Sequence, residues 1–372
     1  MMNAAEQLDG LLAACIAQDG SDLHFSPSLP PHIRIHGALA PLVGEAVYSG
    51  AEIERLAKEL LRRMGERKIT EMPSGSIDGA LTSVAGVRFR FNVFRRQGEM
   101  ALALRRLEDR FRTLADLGLP GSLLPLCDLR DGLVIVSGPT GAGKSTTLAT
   151  LLDYVNRTRR GHIITIEDPI EYLHKPVQCV VNQRQVGLDA PSFNDALVAS
   201  LRQDPDVVLV GEIRDLDTIR TAITAAETGH LVFTTLHAGD CVGSIERLVS
   251  VFPSDEQDGI RRQLSLVLRG IVAQRLLPAV ANGHAPRRVA CSEILMNTPA
   301  VANLIATGKS AQIYSSMETG ASHGMQTLEQ DLARLWVAGR ISEVTASAMA
   351  RNQNVLRERA ANLRALRNGG GK

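Results

Sequence analysis

Aromatic side chains are scarce in this sequence, and neither sign of charge dominates it. Phenylalanine, tryptophan and tyrosine make up 3% of the 372 residues, and 41 basic side chains face 40 acidic ones, for a net charge of +1. Proteins that bind nucleic acid usually carry a basic excess, and those that bind single strands also offer aromatic rings on which bases stack. We therefore expect no nucleic-acid partner.

Cysteines and long apolar runs are also lacking. The five cysteines (Cys15, Cys127, Cys179, Cys241 and Cys291) form no CxxC pair, which predicts reduced thiols and no cysteine-built zinc site. The N-terminus shows no basic segment followed by an apolar one, and no window of about eighteen apolar residues occurs. These features predict a soluble, cytoplasmic protein that reaches a membrane only through partners.

The length and the apolar pattern predict two α/β domains. Helical and strand-like patterns alternate in the first part of the chain, at 4–17, 22–25, 32–36, 50–63, 86–95 and 100–106. Glycines and prolines then cluster, as is typical of a linker. We place the first domain at 1–106, the linker at 107–125 and the second domain at 126–372.

The second domain contains short, continuous apolar runs separated by helical patterns. Such runs are typical of strands buried on both faces of a doubly wound, mostly parallel sheet. Beyond Ser244 the pattern predicts mainly helix, up to a glycine-rich tail (369–371) that we expect to be disordered. The predicted strands are 132–137, 162–166, 207–210 and 231–235, and a helix is predicted at 146–156.

A phosphate-binding loop lies between the first of these strands and the helix. Residues 138–145 read GPTGAGKS and match the pattern GxxxxGK[ST]. Glycines there let backbone N–H groups turn toward phosphate oxygens, Lys144 would reach the β- and γ-phosphates, and Ser145 would offer its hydroxyl to Mg²⁺. A glycine-rich turn without chemical meaning would not need this position between strand and helix. The residues expected to bind ATP are Gly138, Thr140, Gly141, Gly143, Lys144, Ser145 and Thr146.

Two predicted strands end in carboxylates, and a third is flanked by histidines. Glu212 follows 207–210, and Glu167 follows 162–166. The carboxyl ends of parallel strands are where open α/β sheets bind ligands, and hydrolysis needs an acid beside magnesium and a base for the attacking water. Helix capping is the alternative for either acid alone. His237 is a candidate sensor of the γ-phosphate, and a purely structural histidine is the alternative.

These motifs, in this order, resemble those of the secretion-superfamily ATPases, and most closely the PilT-type pilus retraction ATPases. TIEDPIEY (165–172) resembles the family's Asp box, DPDVVLVGEIRD (204–215) its Walker B motif and AAETGHLVFTTLH (225–237) its His box. The resemblance extends to GSDLH (20–24), PPHIR (30–34) and GMQTL (324–328), so it covers nearly the whole chain.

The resemblance implies a PAS-like N-terminal α/β domain, a RecA-like P-loop ATPase domain with a helical C-terminal extension, and a homohexameric ring. It implies that Glu167 is the general base and that Glu212 holds Mg²⁺, through water, together with Ser145. It also implies that His230 and His237 both belong to the site, with His237 nearer the γ-phosphate.

Arginines of the first domain match a region that, in the family, supplies cations to the phosphates when the ring closes. They are Arg88, Arg90 and Arg95, and a solvated strand face is the alternative interpretation. A guanidinium suits the charge that spreads over a phosphoryl group in its transition state. Arg202 and Arg214 are further candidates for contacts across subunits.

One stretch departs from the retraction pattern. Retraction ATPases carry AIRNLIRE, and the counterpart here, 300–307, reads AVANLIAT. The resemblance implies a motor that hydrolyses ATP to power type IV pilus retraction and twitching motility. It would act on a platform protein at the cytoplasmic face of the inner membrane. An accessory retraction motor, or a type II/IV secretion or conjugative-transfer ATPase, stays open, and a RecA-like nucleic-acid translocase is the alternative of another class.

Overall fold

The computed structural model describes residues 3–35, 38–64, 75–107, 111–280 and 288–369. The chain divides into two compact units, one of residues 1–110 with 169–173 and one of residues 111–168 with 174–372. Within the described ranges, no helix is long and apolar enough to cross a bilayer. Three parts of the sequence-based prediction lie outside the described residues: strand residue 36, linker residues 108–110 and tail residues 370–371.

The first unit is an antiparallel sheet with two helices. Each helix begins with a capping box, Asn3 with Glu6 and Ser49 with Glu52, in which side chains satisfy the first backbone N–H groups. The helices are α1 (Ala4–Ala17) and α2 (Gly50–Arg63). The strands are β1 (Asp22–Phe25), β2 (His32–Ile35), β3 (Ala38–Pro41), β4 (Ser76–Thr82), β5 (Arg88–Arg96) and β6 (Glu99–Arg106). They lie in the order β3-β2-β1-β6-β5-β4.

The second unit is built on a seven-stranded sheet. Its strands are β7 (Gly132–Ser137), β8 (His162–Glu167), β9 (Val180–Gln185), β10 (Val207–Val210), β11 (Leu231–Leu236), β12 (Leu268–Pro278) and β13 (Arg288–Met296). The order is β13-β12-β7-β11-β10-β8-β9, in which every pairing is parallel except that of β12 with β13.

Helices cover both faces of this sheet, because successive side chains of a strand point to opposite faces. On β7, Leu133 and Ile135 join one apolar cluster, whereas Val134 and Val136 join another that includes Leu148. The helices are α3 (Leu114–Leu117), α4 (Lys144–Thr158), α5 (Phe193–Ser200), α6 (Leu216–Glu227), α7 (Cys241–Ser250), α8 (Gln257–Val267), α9 (Pro299–Ala306), α10 (Ile313–Thr319), α11 (Leu328–Val337), α12 (Glu343–Met349) and α13 (Gln353–Gly369).

The prediction of mainly helical structure beyond Ser244 is wrong for β12 and β13. The segment of β12 reads LRGIVAQRLLP, and its leucine, alanine, glutamine and arginine residues favour helix. Its apolar residues also do not alternate with polar ones, so periodicity does not separate a buried strand from a buried helix. This segment is a strand because it pairs in parallel with β7, from Leu268 to Ala273.

The described part of the segment predicted as a linker packs within the second unit. It contains α3 and a 3₁₀ helix (Gly121–Asp128), and Leu114 and Leu123 are buried in the cluster that includes Val134. The turn residues that suggested a linker instead delimit these helices. Gly118, at φ +75°, ends α3, and Pro120 precedes the 3₁₀ helix.

A charge network joins α1 to α2 in the first unit. Arg63 donates to the Asp9 carboxylate at 2.7 Å and to Glu59 at 2.8 Å, while Arg62 donates to Glu59 at 2.8 Å. Glu59 is 8% exposed. The hydrogen bonds from Arg62 and then from Arg63 lower the pKa of Glu59 to about 2, from 4.5.

Glu59→Gln should lower the free energy of unfolding of the protein by about 1–2 kcal/mol at pH 7. Because the folded-state pKa lies below the unfolded one, this contribution is present above about pH 4.5 and is lost as pH falls toward 2. Chemical denaturation at pH 7 and at pH 3.5 measures it, and the difference from wild type should narrow at the lower pH. Glu54→Gln, on the same helix but in an exposed pair with Lys58, is the control and should have no measurable effect. A difference independent of pH would contradict the charge assignment.

Candidate nucleotide-binding site

The phosphate loop connects β7 to α4, as its sequence predicts. Helix α4 begins at Lys144 after Gly143, and no side chain caps it, so its positive end stays open to an anion. Three loop glycines have positive φ, at +148° for Gly138, +77° for Gly141 and +88° for Gly143. A β-carbon would strain the backbone at each. The loop therefore has the conformation that its glycines make accessible.

Lys144 lies over this loop. Its Nζ donates to the carbonyl oxygens of Gly138 at 2.9 Å and Pro139 at 3.1 Å. Ser145 and Thr146 follow in the first turn of α4, and Ser145 is exposed. The predicted nucleotide-binding residues 138–146 thus share one loop and one helix end, with a cation and a hydroxyl beside the open backbone.

The sheet order places three predicted side chains along the same edge as the loop. Parallel strands β7, β11, β10 and β8 are neighbours, and their carboxyl ends lead into the loop, His237, Glu212 and Glu167 in turn. At the usual strand spacing, Glu212 lies about 10 Å and Glu167 about 14 Å along the sheet from β7. The edge is therefore a row of one lysine, one histidine and two carboxylates.

Glu212 occupies the middle of this row. Its Oε2 accepts from Arg214 at 2.8 Å and lies 3.9 Å from Nε2 of His237. Partial burial, followed by the charge of Lys144, lowers the pKa of His237 below its ordinary value, while Glu212 opposes the shift. His237 is therefore a neutral imidazole at pH 7, which can donate one hydrogen bond from one ring nitrogen and accept one at the other.

Glu167 is held by neighbours on its own strand and on β9. Its Oε1 accepts from the hydroxyl of Thr165 at 2.6 Å and from the amide of Gln183 at 3.1 Å. These donors orient the carboxylate at the end of β8. The sequence analysis did not identify Gln183, because the strand that carries it was not predicted.

Two other candidates, His230 and Arg202, lie away from the phosphate loop of the same chain. His230 precedes β11, so the length of that strand, roughly 20 Å, separates it from His237. Its Nδ1 lies 3.0 Å from the carbonyl oxygen of Ala225. Arg202 likewise precedes β10, the strand that lies next to β11 in the sheet. Its guanidinium donates to the carbonyl of Val198 at 3.4 Å.

The three predicted arginines of the first unit do not share one face of β5. Strand alternation puts Arg88 and Arg90 on the face opposite buried Phe89 and Phe91, whereas Arg95 falls on the other face, at the exposed strand end. Arg88 Nε donates to the carbonyl of Ile170 at 3.2 Å, and Arg95 donates to Gly98 at 3.2 Å.

Strand β12, which the sequence analysis missed, contributes two side chains next to these loops. Gln274 Nε2 donates to the carbonyl of Ala142 at 2.8 Å, and its Oε1 accepts from Thr147 at 2.7 Å. The next residue, Arg275, donates to the carbonyl of Gly239 at 3.0 Å, two positions after His237. The sequence does show two polar residues, Gln274 and Arg275, inside an apolar run. Their role can be recognised only when the position of β12 beside the loop is known.

Buried Glu293 and the more exposed Arg351 form an ion pair at the end of the loop 237–240, which follows β11. Arg351 binds Glu293 at 2.8 Å and Asp240 at 3.2 Å, and Glu293 also accepts from the backbone N–H of Cys241 at 2.9 Å. Asp240 caps α7 through the N–H of Gly243 at 2.6 Å. Burial raises the pKa of Glu293, while the N–H of Cys241 and then the charge of Arg351 oppose that shift.

The shifted pKa of His237 gives a direct test of this electrostatic arrangement. Glu212→Gln should lower that pKa further, because it removes the negative charge that favours imidazolium. Arg214→Gln should raise it, because it removes a positive charge. Titration of selectively ¹³C-labelled histidine by NMR measures both shifts. Equal His237 pKa values in the two variants would contradict the assigned geometry.

Comparison with known proteins supports these observations. A family model described as Type II/IV secretion system protein matches residues 4–369. The type IV pilus retraction ATPase PilT of Pseudomonas aeruginosa is 42% identical over 346 residues, which is 92% of this chain and 97% of that protein. The type IV pilus ATPase PilU of the same organism is 38% identical over 352 residues, which is 94% of this chain and 90% of that protein.

A solved structure is also similar over its full length. The crystal structure of the pilus retraction motor PilT with bound ADP superposes with a TM-score of 0.85 and 39% identity, covering 96% of this chain and 100% of that one. The resemblance to PilT-type ATPases and the two-part α/β fold class with an ATPase fold are thus confirmed. The chain belongs to the family of type II/IV secretion system proteins.

Proposed function

We propose that this chain is the ATP-hydrolysing subunit of a homohexameric motor that powers type IV pilus retraction. The observation that carries the proposal is the single sheet edge that gathers the phosphate loop, Lys144, His237, Glu212 and Glu167. The identity with PilT over 92% of the chain supports the same activity and load.

ATP would bind with its phosphates at the open end of α4. The backbone of 138–143 surrounds the phosphate position, and Lys144 exchanges its loop carbonyls for phosphate oxygens. Ser145 and Glu212 offer the hard oxygen ligands that suit Mg²⁺, which usually keeps several waters and binds through one or two protein oxygens plus phosphates. Bound there, the ion neutralises charge on the phosphates.

Hydrolysis would divide between the two carboxylates. Glu167, oriented by Thr165 and Gln183, takes a proton from the attacking water. Glu212, which lies beside His237, would be a ligand of Mg²⁺. Neutral His237 would form a hydrogen bond with the γ-phosphate. Arg88, Arg90 and Arg95 would supply the positive charge that the family resemblance implies. His230 and Arg202 have no assigned part in the chemistry of their own phosphate loop.

Glu167→Gln tests the base. The amide keeps the size and hydrogen bonds of the side chain but cannot take a proton, so steady-state ATP hydrolysis should fall at least about 100-fold while ADP binding changes by less than about threefold. Glu212→Gln should instead weaken binding in the presence of Mg²⁺ more than in its absence. Glu343→Gln, at an exposed carboxylate in the first turn of α12 and outside these motifs, is the matched control and should hydrolyse ATP like wild type.

Hydrolysis by Glu167→Gln at near the wild-type rate would show that Glu167 is not the base. The comparison with Glu212→Gln then decides whether the other carboxylate takes that role. If wild-type protein does not hydrolyse ATP at all, the proposed activity itself fails.

Helix α9 gives a specific reason to keep a second candidate. It contains the 300–307 counterpart of the retraction motif, with Val301 and Ile305 buried and Asn303 exposed. No charged side chain occurs between Pro299 and Thr307, so the charges of AIRNLIRE are lost from this surface. An accessory retraction motor is therefore the alternative function, and the 38% identity with the type IV pilus ATPase PilU agrees with a place in the same machine.

A gene deletion distinguishes a retraction motor from an accessory one. We expect the motor to work in the cytoplasm at the inner membrane, against a platform protein of the pilus. Deletion should leave cells with excess surface pili and reduced twitching, and complementation with the Glu167→Gln variant should not restore motility. A deletion strain that twitches normally until force on the pilus is raised would favour the accessory role. Bald cells, or loss of a secreted protein, would contradict both.

A further inference from the structure

We infer that Gln274 is a positioning residue that holds the phosphate loop in its nucleotide-binding shape. The inference rests on the proposed function, since it concerns the affinity of that site for nucleotide. Gln274 belongs to β12, a strand behind the loop, and it is not part of the GxxxxGK[ST] pattern.

Both ends of the Gln274 amide are engaged, one with the loop and one with the helix after it. Nε2 donates to the carbonyl of Ala142 at 2.8 Å, and Oε1 accepts from the hydroxyl of Thr147 at 2.7 Å. Gln274 is 3% exposed, and Thr147 and Ala142 are buried as well. Because water cannot replace a buried partner, loss of the amide would leave a carbonyl and a hydroxyl unsatisfied.

Two loop glycines are shaped by the same residue. A β-carbon on Gly138 would lie 2.3 Å from the backbone oxygen of Gln274, and one on Gly143 would lie 2.9 Å from its Nε2. A β-carbon on Gly141 would meet nothing within 4 Å. Gly138 and Gly143 are therefore needed for the close approach of β12 as well as for their positive φ. Gln274 therefore packs against the loop at its start and at its end.

The position of Gln274 on β12 explains why it can do this. Parallel pairing of β12 with β7 ends at Ala273 opposite Ser137, so Gln274 lies one residue beyond the point at which β7 becomes the loop. β12 is held on its other side by β13 over nine residue pairs. The amide thus links the position of a paired strand to that of the loop.

The alternative is an ordinary buried hydrogen bond that stabilises the fold without affecting the site. The two interpretations predict different effects of a substitution on stability and on nucleotide affinity. A structural bond contributes to the free energy of unfolding alone, whereas a positioning bond also contributes to nucleotide affinity, because an unrestrained loop must be ordered when the phosphates bind.

The experiment compares Gln274→Leu with Asn156→Leu in the full chain. Asn156 is also a buried amide with both ends engaged, since its Nδ2 donates to the carbonyl of Lys175 at 2.8 Å and its Oδ1 accepts from the backbone N–H of Val177 at 3.1 Å. It lies in the last turn of α4, at the opposite end of that helix from the loop. Fluorescent ADP with Mg²⁺ reports affinity, thermal unfolding reports stability, and steady-state hydrolysis gives KM and kcat. Gln274→Leu should weaken ADP binding about tenfold or more and raise KM similarly. Asn156→Leu should lower the unfolding temperature but leave ADP affinity within about twofold.

Thr147→Val provides a milder variant, because it removes the hydroxyl that binds Oε1 and keeps the amide. It should weaken ADP binding about two- to fivefold, and the double variant should be no weaker than Gln274→Leu alone, since both changes remove the same bond. If Gln274→Leu does not fold, Thr147→Val decides the question.

Wild-type ADP affinity in Gln274→Leu, or in Thr147→Val if that variant decides, would overturn the inference. An equal loss of affinity in Asn156→Leu would overturn it as well, because the effect would then follow from general destabilisation. A wild-type protein that binds ADP but does not hydrolyse ATP would end the proposed function while leaving the role of Gln274 in binding intact.

Discussion

A phosphate loop that keeps backbone N–H groups pointed at its ligand has fewer of them left for hydrogen bonds that would hold its own shape. The rest of the second unit satisfies this constraint from outside. Strand β7 fixes where the loop begins, and α4 fixes where it ends. Strand β12 lies against its outer side, with Gln274 bonded to both the loop and the helix. The open N-terminus of α4 is then available to an anion.

The parallel pairing of the strands places the other site residues beside the phosphate loop. Because β7, β11, β10 and β8 run in the same direction, the residues that follow them meet at one edge. Burial is the main cause of the lowered pKa of His237, and its place between Lys144 and Glu212 explains why the lysine lowers that pKa further while the carboxylate raises it. The same direction explains why His230, at the opposite end of β11, bonds to its own helix instead. One strand can present only one of its ends to the site.

Buried charge in this unit is placed where it secures a loop. Glu293 and Arg351 bind each other, Asp240 and the start of α7, so the chain after His237 is tied to the C-terminal segment. The carboxylate of Glu293 is buried and therefore costly to leave without its partners, so these bonds fix the geometry of the loop. Arg275 adds a second tie at Gly239. The loop with the candidate γ-phosphate sensor is thus bonded from two directions.

Local features were readable from the sequence because their causes lie within a few residues. The phosphate loop, the buried strands 132–137 and 207–210 and the helices 4–17 and 50–63 all follow from glycine positions, apolar runs and helical periodicity, and the structure has them. Glu167 and Glu212 were identified as acids that end strands. The tertiary structure alone decided that 268–278 is a strand and that 111–125 packs against the second core. It also decided that Gln274 meets Ala142, 132 positions away. Such contacts depend on which surfaces are brought together, and no pattern within one segment contains that information.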